Sequence, residues 1–244
     1  MDIQIKWHNR LGSTNRFVKN EIAQHRTPAH GSLIAAYDQT DGMGRANRSW
    51  LSSPTTNLCF SLFLKTRAPL QKIPSLTMAA SLAIHDVLRK KRIHAAPKWP
   101  NDLLVNGKKI CGILSECMEL ADSNDRGIIL GIGLNVNMNA EQRAQIDQPA
   151  TSIFLETGST YPLEPLLEET AEHLCYWIDR WDRDGFESYR PQWEALTGPL
   201  GRKLLIREGQ NHVEGCLRGY GEHGELKLET SSGEQIFWAG EIPW

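Results

Sequence analysis

"KWPNDLLVNGKKICGIL", residues 98–114, decides the fold class. Asn106-Gly107 is the preferred pair for a two-residue type I′ turn, which needs positive φ at both central positions. Apolar runs flank the pair on both sides, so the stretch reads as a β-hairpin. Pro100 fixes a bend just before Asn101-Asp102. That bend holds the polar pair in one place, which suits a binding site, although Lys98, Asn101, Asp102, Lys108 and Lys109 also fit the plain surface of a hairpin edge. The two-residue period of a strand sends Lys108 and Lys109 to opposite faces.

Working outward, "GSLIAAY" (31–37), "NLCFSLFLKT" (57–66) and "GIILGIGLNVNM" (127–138) are apolar and short enough to be core strands. "LGSTNRFVKNEIAQH" (11–25) starts a helix that Ser13, Thr14 or Asn15 can cap, with Phe17, Val18 and Ile22 on one face. In "SLTMAASLAIHDVLRKK" (75–91), Leu76, Ala79, Ala83 and Val87 have the spacing of a helix packed on one side, and its basic end suits a helix C-terminus. "LEPLLEETAEHLCYWIDRWDRDG" (163–185) is a long amphipathic helix with Leu163, Leu166, Leu167, Leu174, Ile178 and Trp181 inward. Hairpins beside crossovers predict an α+β fold with a mixed sheet, not a doubly wound parallel one. The pattern changes at "LTGPLGRK" (196–203), where Gly198, Pro199 and Gly201 punctuate the chain. Short β-like pieces between glycine-rich turns follow, predicting a small barrel. The expected division is 1–198 and 199–244.

The 244 residues allow one large and one small domain. A hydrophobic content of 40% and a net charge of −2 fit a globular protein without a broad nucleic-acid surface. No apolar window is long enough to cross a membrane and "MDIQIKWHNR" lacks a signal-peptide core, so the expected location is cytoplasmic. Five scattered cysteines without a CxxC pair argue for buried reduced thiols, and no HxH or HExxH spacing suggests a metal site.

"DQTDGMGRANRSW" (38–50) follows a core strand with a glycine loop that carries two arginines. It is neither G-x-x-x-x-G-K-[ST] nor G-x-G-x-x-G, since no Lys-Ser/Thr follows and position 47 is Asn. "GIGLNVN" fails in the same way at Val136. Each glycine pair alone is more often a turn than a ligand loop. Arg45 and Arg48 point to an anion, because guanidinium forks grip carboxylate or phosphate at two points. Asn135 and Asn137 either add donors or cap a strand end.

"GSTN" (12–15), Gln39-x-x-Gly-x-Gly-Arg-x-x-Arg-x-Trp, "KWPND" followed by "KKICGIL", and "GIGLNVN" stand in the order and spacing of biotin protein ligases. Over essentially its whole length the chain resembles that family, in a short form without an N-terminal DNA-binding domain. The resemblance implies a mixed sheet packed with helices, similar to class II synthetases, plus a C-terminal SH3-like barrel. It implies that ATP activates biotin to biotinyl-AMP with release of pyrophosphate, and that biotin then passes to a lysine of a biotin carboxyl carrier domain. Biotin would lie against Ser13, Thr14, Asn15, Gln39, Gly42, Met43, Gly44, Arg45 and Gly112, with the ureido ring at Ser13, Thr14 and Gln39. Lys109 would bridge its carboxylate and the α-phosphate. Arg48, Trp50, Asn101 and Asn135 would serve ATP together with Arg45 and Lys109, and Asp102 would sit near magnesium or the incoming lysine. Lys109, Arg45 and Asp102 are the implied catalytic set, and Cys111 is packing. The resemblance further implies no DNA or membrane partner, and it allows a homodimer. Where the family loop reads close to G-R-G-R-x-G-R, Met43 replaces the first arginine and Asn47 the last glycine, which predicts looser retention of the adenylate. Ligases that attach lipoyl or octanoyl groups share this catalytic fold and are the alternative, as is a non-catalytic biotin-binding module.

Overall fold

The computed structural model describes residues 1–121 and 123–243, and of Asn47 the backbone alone. In chain order the elements are β1 (Gln4–Leu11), α1 (Thr14–Ala23), β2 (Ser32–Gln39), β3 (Gly42–Met43), β4 (Ser49–Trp50), β5 (Asn57–Thr66), α2 (Ile73–Lys90), β6 (Ala96–Lys98), β7 (Asp102–Val105), β8 (Lys108–Glu119) and β9 (Arg126–Asn135). There follow α3 (Ala140–Arg143), α4 (Ile153–Thr157), α5 (Leu163–Asp184), α6 (Arg190–Thr197), β10 (Lys203–Glu208), β11 (Asn211–Tyr220), β12 (Leu226–Thr230) and β13 (Gly233–Phe237).

Seven strands form one sheet in the order β1-β2-β5-β9-β8-β7-β6. β1 and β2 run parallel, joined through α1, and the other neighbours pair antiparallel. The fold is therefore α+β with a mixed sheet. The hairpin that announced it turns at Asn106 (φ 49°) and Gly107 (φ 77°), both positive as a type I′ turn requires.

Alternation along the central strands sorts the two faces. Leu58, Phe60, Leu62 and Leu64 of β5 and Ile128, Leu130, Ile132 and Leu134 of β9 pack into the main core with α2 and α5. The intervening Phe63 and Ile129 meet Val18 and Ile22 of α1 on the opposite face. Each such aliphatic side chain contributes roughly 1.5–3 kcal/mol when fully buried, so face assignment is strongly specified. α1 begins at Ser13, whose hydroxyl accepts from the Arg16 N–H as N-cap.

Two expectations need correction, and a third point adds a strand. α2 is not packed on one side only: Met78, Ala80, Leu82, Ile84 and Leu88 are buried as well, because α5 covers what the sheet leaves open. Its buried hydroxyls are satisfied locally, Ser81 donating to the Met78 carbonyl. Second, the C-terminal strands form an open antiparallel meander, β10-β11-β12-β13, not a closed barrel. β13 is short, and the segment after it turns at Gly240 (φ 140°) to reach β10 through one bridge, Arg207 with Glu241. Third, β1 is a strand that the sequence reading passed over. It is an edge strand with a mixed exposure pattern, so no clean alternation marks it. The meander shares the main core, with Tyr220 set edge-on to Trp193 and Phe186 at 6.1 and 6.4 Å between ring centroids. That docking brings residues 239–242 back over the large sheet.

Among the described residues no helix is long and apolar enough to cross a membrane.

Candidate functional site

The site lies on the α1 face of the sheet, where glycines take the place of side chains. Gly112 of β8 pairs with Gly133 of β9, and Gly131 follows two residues earlier on the same face. A Cβ on Gly131 would stand 2.3 Å from Asn15 Oδ1, one on Gly133 2.3 Å from the Trp50 indole, and one on Gly112 2.9 Å from Lys109 Cε. The glycines of "GIGLN" therefore form a flat floor rather than a phosphate loop. Asn15, Trp50 and Lys109 lie directly on it, lining a cavity of about 950 Å³.

One end of this cleft is neutral and polar. Gln39 Oε1 accepts the Thr14 backbone N–H at 3.0 Å, and the Thr14 hydroxyl contacts Ser61 Oγ at 2.7 Å. Ser61 also reaches Asn15 Oδ1, and Asn15 Nδ2 donates to Glu116 at 2.8 Å. Ser13, Thr14, Asn15, Gln39 and Ser61 are all buried.

The other end is cationic. Lys109 Nζ sits 2.7 Å from Asp102 Oδ1 and 5.6 Å from the Trp50 ring centroid. Arg45 donates to Asn101 Oδ1 at 3.1 Å and to the Gly240 carbonyl at 3.2 Å. Burial pulls the Arg45 guanidinium below its usual range, partly offset by Asp102 and Glu241. It pulls Lys98 down as well, again offset by Asp102 and Glu241. Burial disfavours both charges, so bringing an anion against them is favourable at this end. Arg48 is exposed and makes a two-point pair with Glu241, which raises the guanidinium and lowers the carboxyl.

A cleft with a neutral hydrogen-bonding end, an aromatic ring and a cationic end matches the family suggested by the motifs. Residues 7–135 match the model of the biotin/lipoate A/B protein ligase family. The chain belongs to this family. It is 31% identical over 242 residues to the bifunctional ligase/repressor BirA of Bacillus subtilis, covering 97% of this chain and 72% of that one. It is 30% identical over 215 residues to the biotin–[acetyl-CoA-carboxylase] ligase of Paracoccus denitrificans, covering 86% and 88%. The biotin protein ligase of Aquifex aeolicus, solved in complex with biotin and ATP, superposes with a TM-score of 0.80 at 26% identity over 98% of this chain and 97% of that one.

Of the residues expected at the site of such a ligase, all but Gly42 line the one cleft. Gly42 is buried behind it, packed so closely on Gln39 and the Trp50 carbonyl that a Cβ would stand under 3 Å from both. Met43 and Gly44 lie at the rim. Asn101 is fully engaged, accepting from Arg45 and donating to the Ile113 carbonyl, so it braces the loop arginine. Asn135 donates to the Thr151 carbonyl at 2.9 Å, which leaves only its Oδ1 for a ligand. Lys108 is exposed while Lys109 is turned inward, as strand alternation requires. Cys111 belongs to the main core, and burial pushes its thiol up, consistent with packing rather than nucleophilic work. The departure at Asn47 concerns a side chain outside the described residues.

Sequence reading missed Ser61, Glu116 and the tail residues Gly240 and Glu241. Ser61 had a legible signal, being the lone hydroxyl inside the apolar run 58–64, although its pairing with Gly131 was not legible. Gly240 and Glu241 had none, being nearly two hundred residues from the arginines they meet.

Proposed function

We propose that this chain is an ATP-dependent biotin–protein ligase. The observation that carries the reading is the two-ended cleft: a buried neutral polar end and a cationic end share one glycine floor, with Trp50 and Lys109 between them. Biotin has this character, a neutral cyclic urea at one end and a carboxylate at the other. The names of the relatives support the assignment.

In the first step a biotin carboxylate oxygen attacks the α-phosphorus of ATP, forming a P–O bond as the bond to pyrophosphate breaks. Two anions are brought together, and charge builds on the phosphoryl oxygens. The Lys109 ammonium, held by Asp102, offsets that repulsion most as charge develops. Arg45, braced by Asn101, supports the phosphate, and the indole of Trp50 offers a stacking face for adenine. In the second step the deprotonated amine of a carrier-domain lysine attacks the acyl carbon and AMP leaves, with Asp102 the carboxylate at hand to accept a proton. Among the described residues no group of three His, Cys, Asp or Glu side chains gathers to cage a metal. Magnesium would accompany the nucleotide as a counter-ion to its phosphates, with Asp102 the cleft carboxylate that would hold it, which suits an ion that keeps its waters and takes one or two carboxylates. Residues 1–198 are read as the catalytic part and 199–244 as an SH3-like part whose tail reaches the cleft.

The test is incubation with MgATP, biotin and a biotin carboxyl carrier domain, followed by mass measurement. A biotinyl adduct on one carrier lysine is expected. Modification with lipoate but not biotin would move the chain to the lipoate branch of its family, and binding without pyrophosphate release would make it a biotin-binding module.

A further inference from the structure

Behind the polar end of the cleft, hydrogen bonds run from a half-buried carboxylate through buried side chains to the face a ligand meets. Glu116, on β8, takes the Lys19 ammonium on Oε1 and accepts from Asn15 Nδ2 on Oε2 at 2.8 Å. A carboxylate has no proton to give, so Asn15 can face it only with its NH₂ side. Asn15 Oδ1 must then point the other way, where the Ser61 hydroxyl donates to it. Ser61 owns a single proton. With that proton committed, the 2.7 Å contact between Ser61 Oγ and Thr14 Oγ1 is made by the Thr14 proton. The other acceptor within reach of Thr14, Gln39 Oε1 at 3.2 Å, also lies within the protein. In either arrangement Thr14 donates inward and keeps a lone pair for the cleft. Gln39, whose oxygen receives the Thr14 backbone N–H, turns its NH₂ group away from Thr14.

We infer that Glu116 and Ser61 are positioning residues that fix the donor–acceptor polarity of Thr14 at the cleft's polar end, holding its proton inward and leaving it an acceptor for a ligand. The inference rests on the ligase reading, in which this end takes biotin's cyclic urea. The urea N–H groups need acceptors and its carbonyl needs donors. Ser61 is wholly buried and Thr14, Asn15 and Gln39 nearly so, which leaves no water to repair a reversed bond.

The simpler role for Glu116 is an ion pair with Lys19 that ties α1 to β8. Glu116→Gln separates the two. Lys19 only donates, so it claims the oxygen of the new amide and leaves that amide's NH₂ facing Asn15. Asn15 then has to turn over, Ser61 becomes its acceptor, and the Ser61 proton goes to Thr14, which spends one of its two lone pairs on it and no longer has its own proton held by Ser61. The double variant Glu116→Gln with Lys19→Met frees the amide oxygen to face Asn15 and restores the original polarity.

The experiment is calorimetric titration of biotin into the full chain and both variants, with kcat and the KM for ATP measured at saturating biotin. Glu116→Gln is expected to weaken biotin about ten- to hundredfold, the usual consequence of an unmatched buried polar group. The KM for ATP should move less than about threefold, and the double variant should recover most of the lost affinity. Native-like biotin affinity in Glu116→Gln, or a loss that Lys19→Met fails to relieve, overturns the polarity relay while leaving the ligase reading intact. A native chain that does not bind biotin at all overturns the ligase reading, and this inference with it.

Discussion

Replacing Lys109 by alanine is expected to stop adenylate formation almost completely while leaving the fold in place. Lys109 Nζ lies 2.7 Å from Asp102 Oδ1, with side chains only 20% and 16% exposed. At an effective dielectric of about 20, that separation gives about 6 kcal/mol of direct attraction, most of it offset by the desolvation of both ions. Two consequences follow and can be measured separately. Losing a fixed donor that acts on developing charge costs about 3–4 kcal/mol, or roughly two to three orders of magnitude in rate. Asp102, left without its partner, also loses about 2 kcal/mol of stabilisation, below the 3–5 typical of a fully buried pair. In a protein of this size that lowers the melting temperature by about 4–8 °C. Adding Asp102→Asn to Lys109→Ala should restore the melting temperature but not the rate. Lys108→Ala, on the exposed face of the same strand, should stay within a few-fold of native. The assay is single-turnover pyrophosphate release with biotin and MgATP, alongside a thermal melt. Equal losses in the two lysine variants would refute the reasoning. So would a Lys109→Ala protein with raised KM and unchanged kcat, since that is the signature of uniform binding.

Met43→Arg restores a cation at the rim of the glycine loop and is expected to slow release of the adenylate, read by stopped-flow dissociation; an unchanged off-rate would make position 43 neutral. Gly133→Ala places a methyl 2.3 Å from the rigid Trp50 indole, so ATP and biotin should both bind at least about tenfold more weakly, measured by titration, with the overall fold retained. Burial pushes the Cys59 thiol up to about 11 and raises Cys111 as well, so a disulfide reagent at pH 8 should label exposed Cys117 quickly and those two only on unfolding. Hydrogen bonding from Arg48 holds the Glu241 carboxyl below its ordinary range. The tail contact is therefore present above that range and lost as pH falls through the lowered value, and proteolysis of residues 239–243 should begin only once the pH is below the ordinary carboxylate range. Glu241→Gln should abolish that pH dependence.

The local features of this chain were settled by local physics. Asn106-Gly107 turns as predicted because the two positive φ angles are a property of that dipeptide, and Ser13 caps α1 because an N-cap bond closes within three residues. β5 runs over Asn57–Thr66 as its apolar run implied, since a strand buried on both faces needs no partner to be recognised. The motif residues were legible one by one, and the cleft gathers nearly all of them. Tertiary structure alone decided what lay outside those short windows. Register across β5, β9 and β8 sets Ser61 opposite Gly131 and Leu114 opposite the same residue, and so brings Glu116 within reach of Asn15. Docking of the C-terminal meander carries Gly240 and Glu241 to Arg45 and Arg48. The meander stays open because its tail, and not β13, meets β10. These are pairings between distant segments, and their energy comes from burying apolar faces that local propensity does not encode.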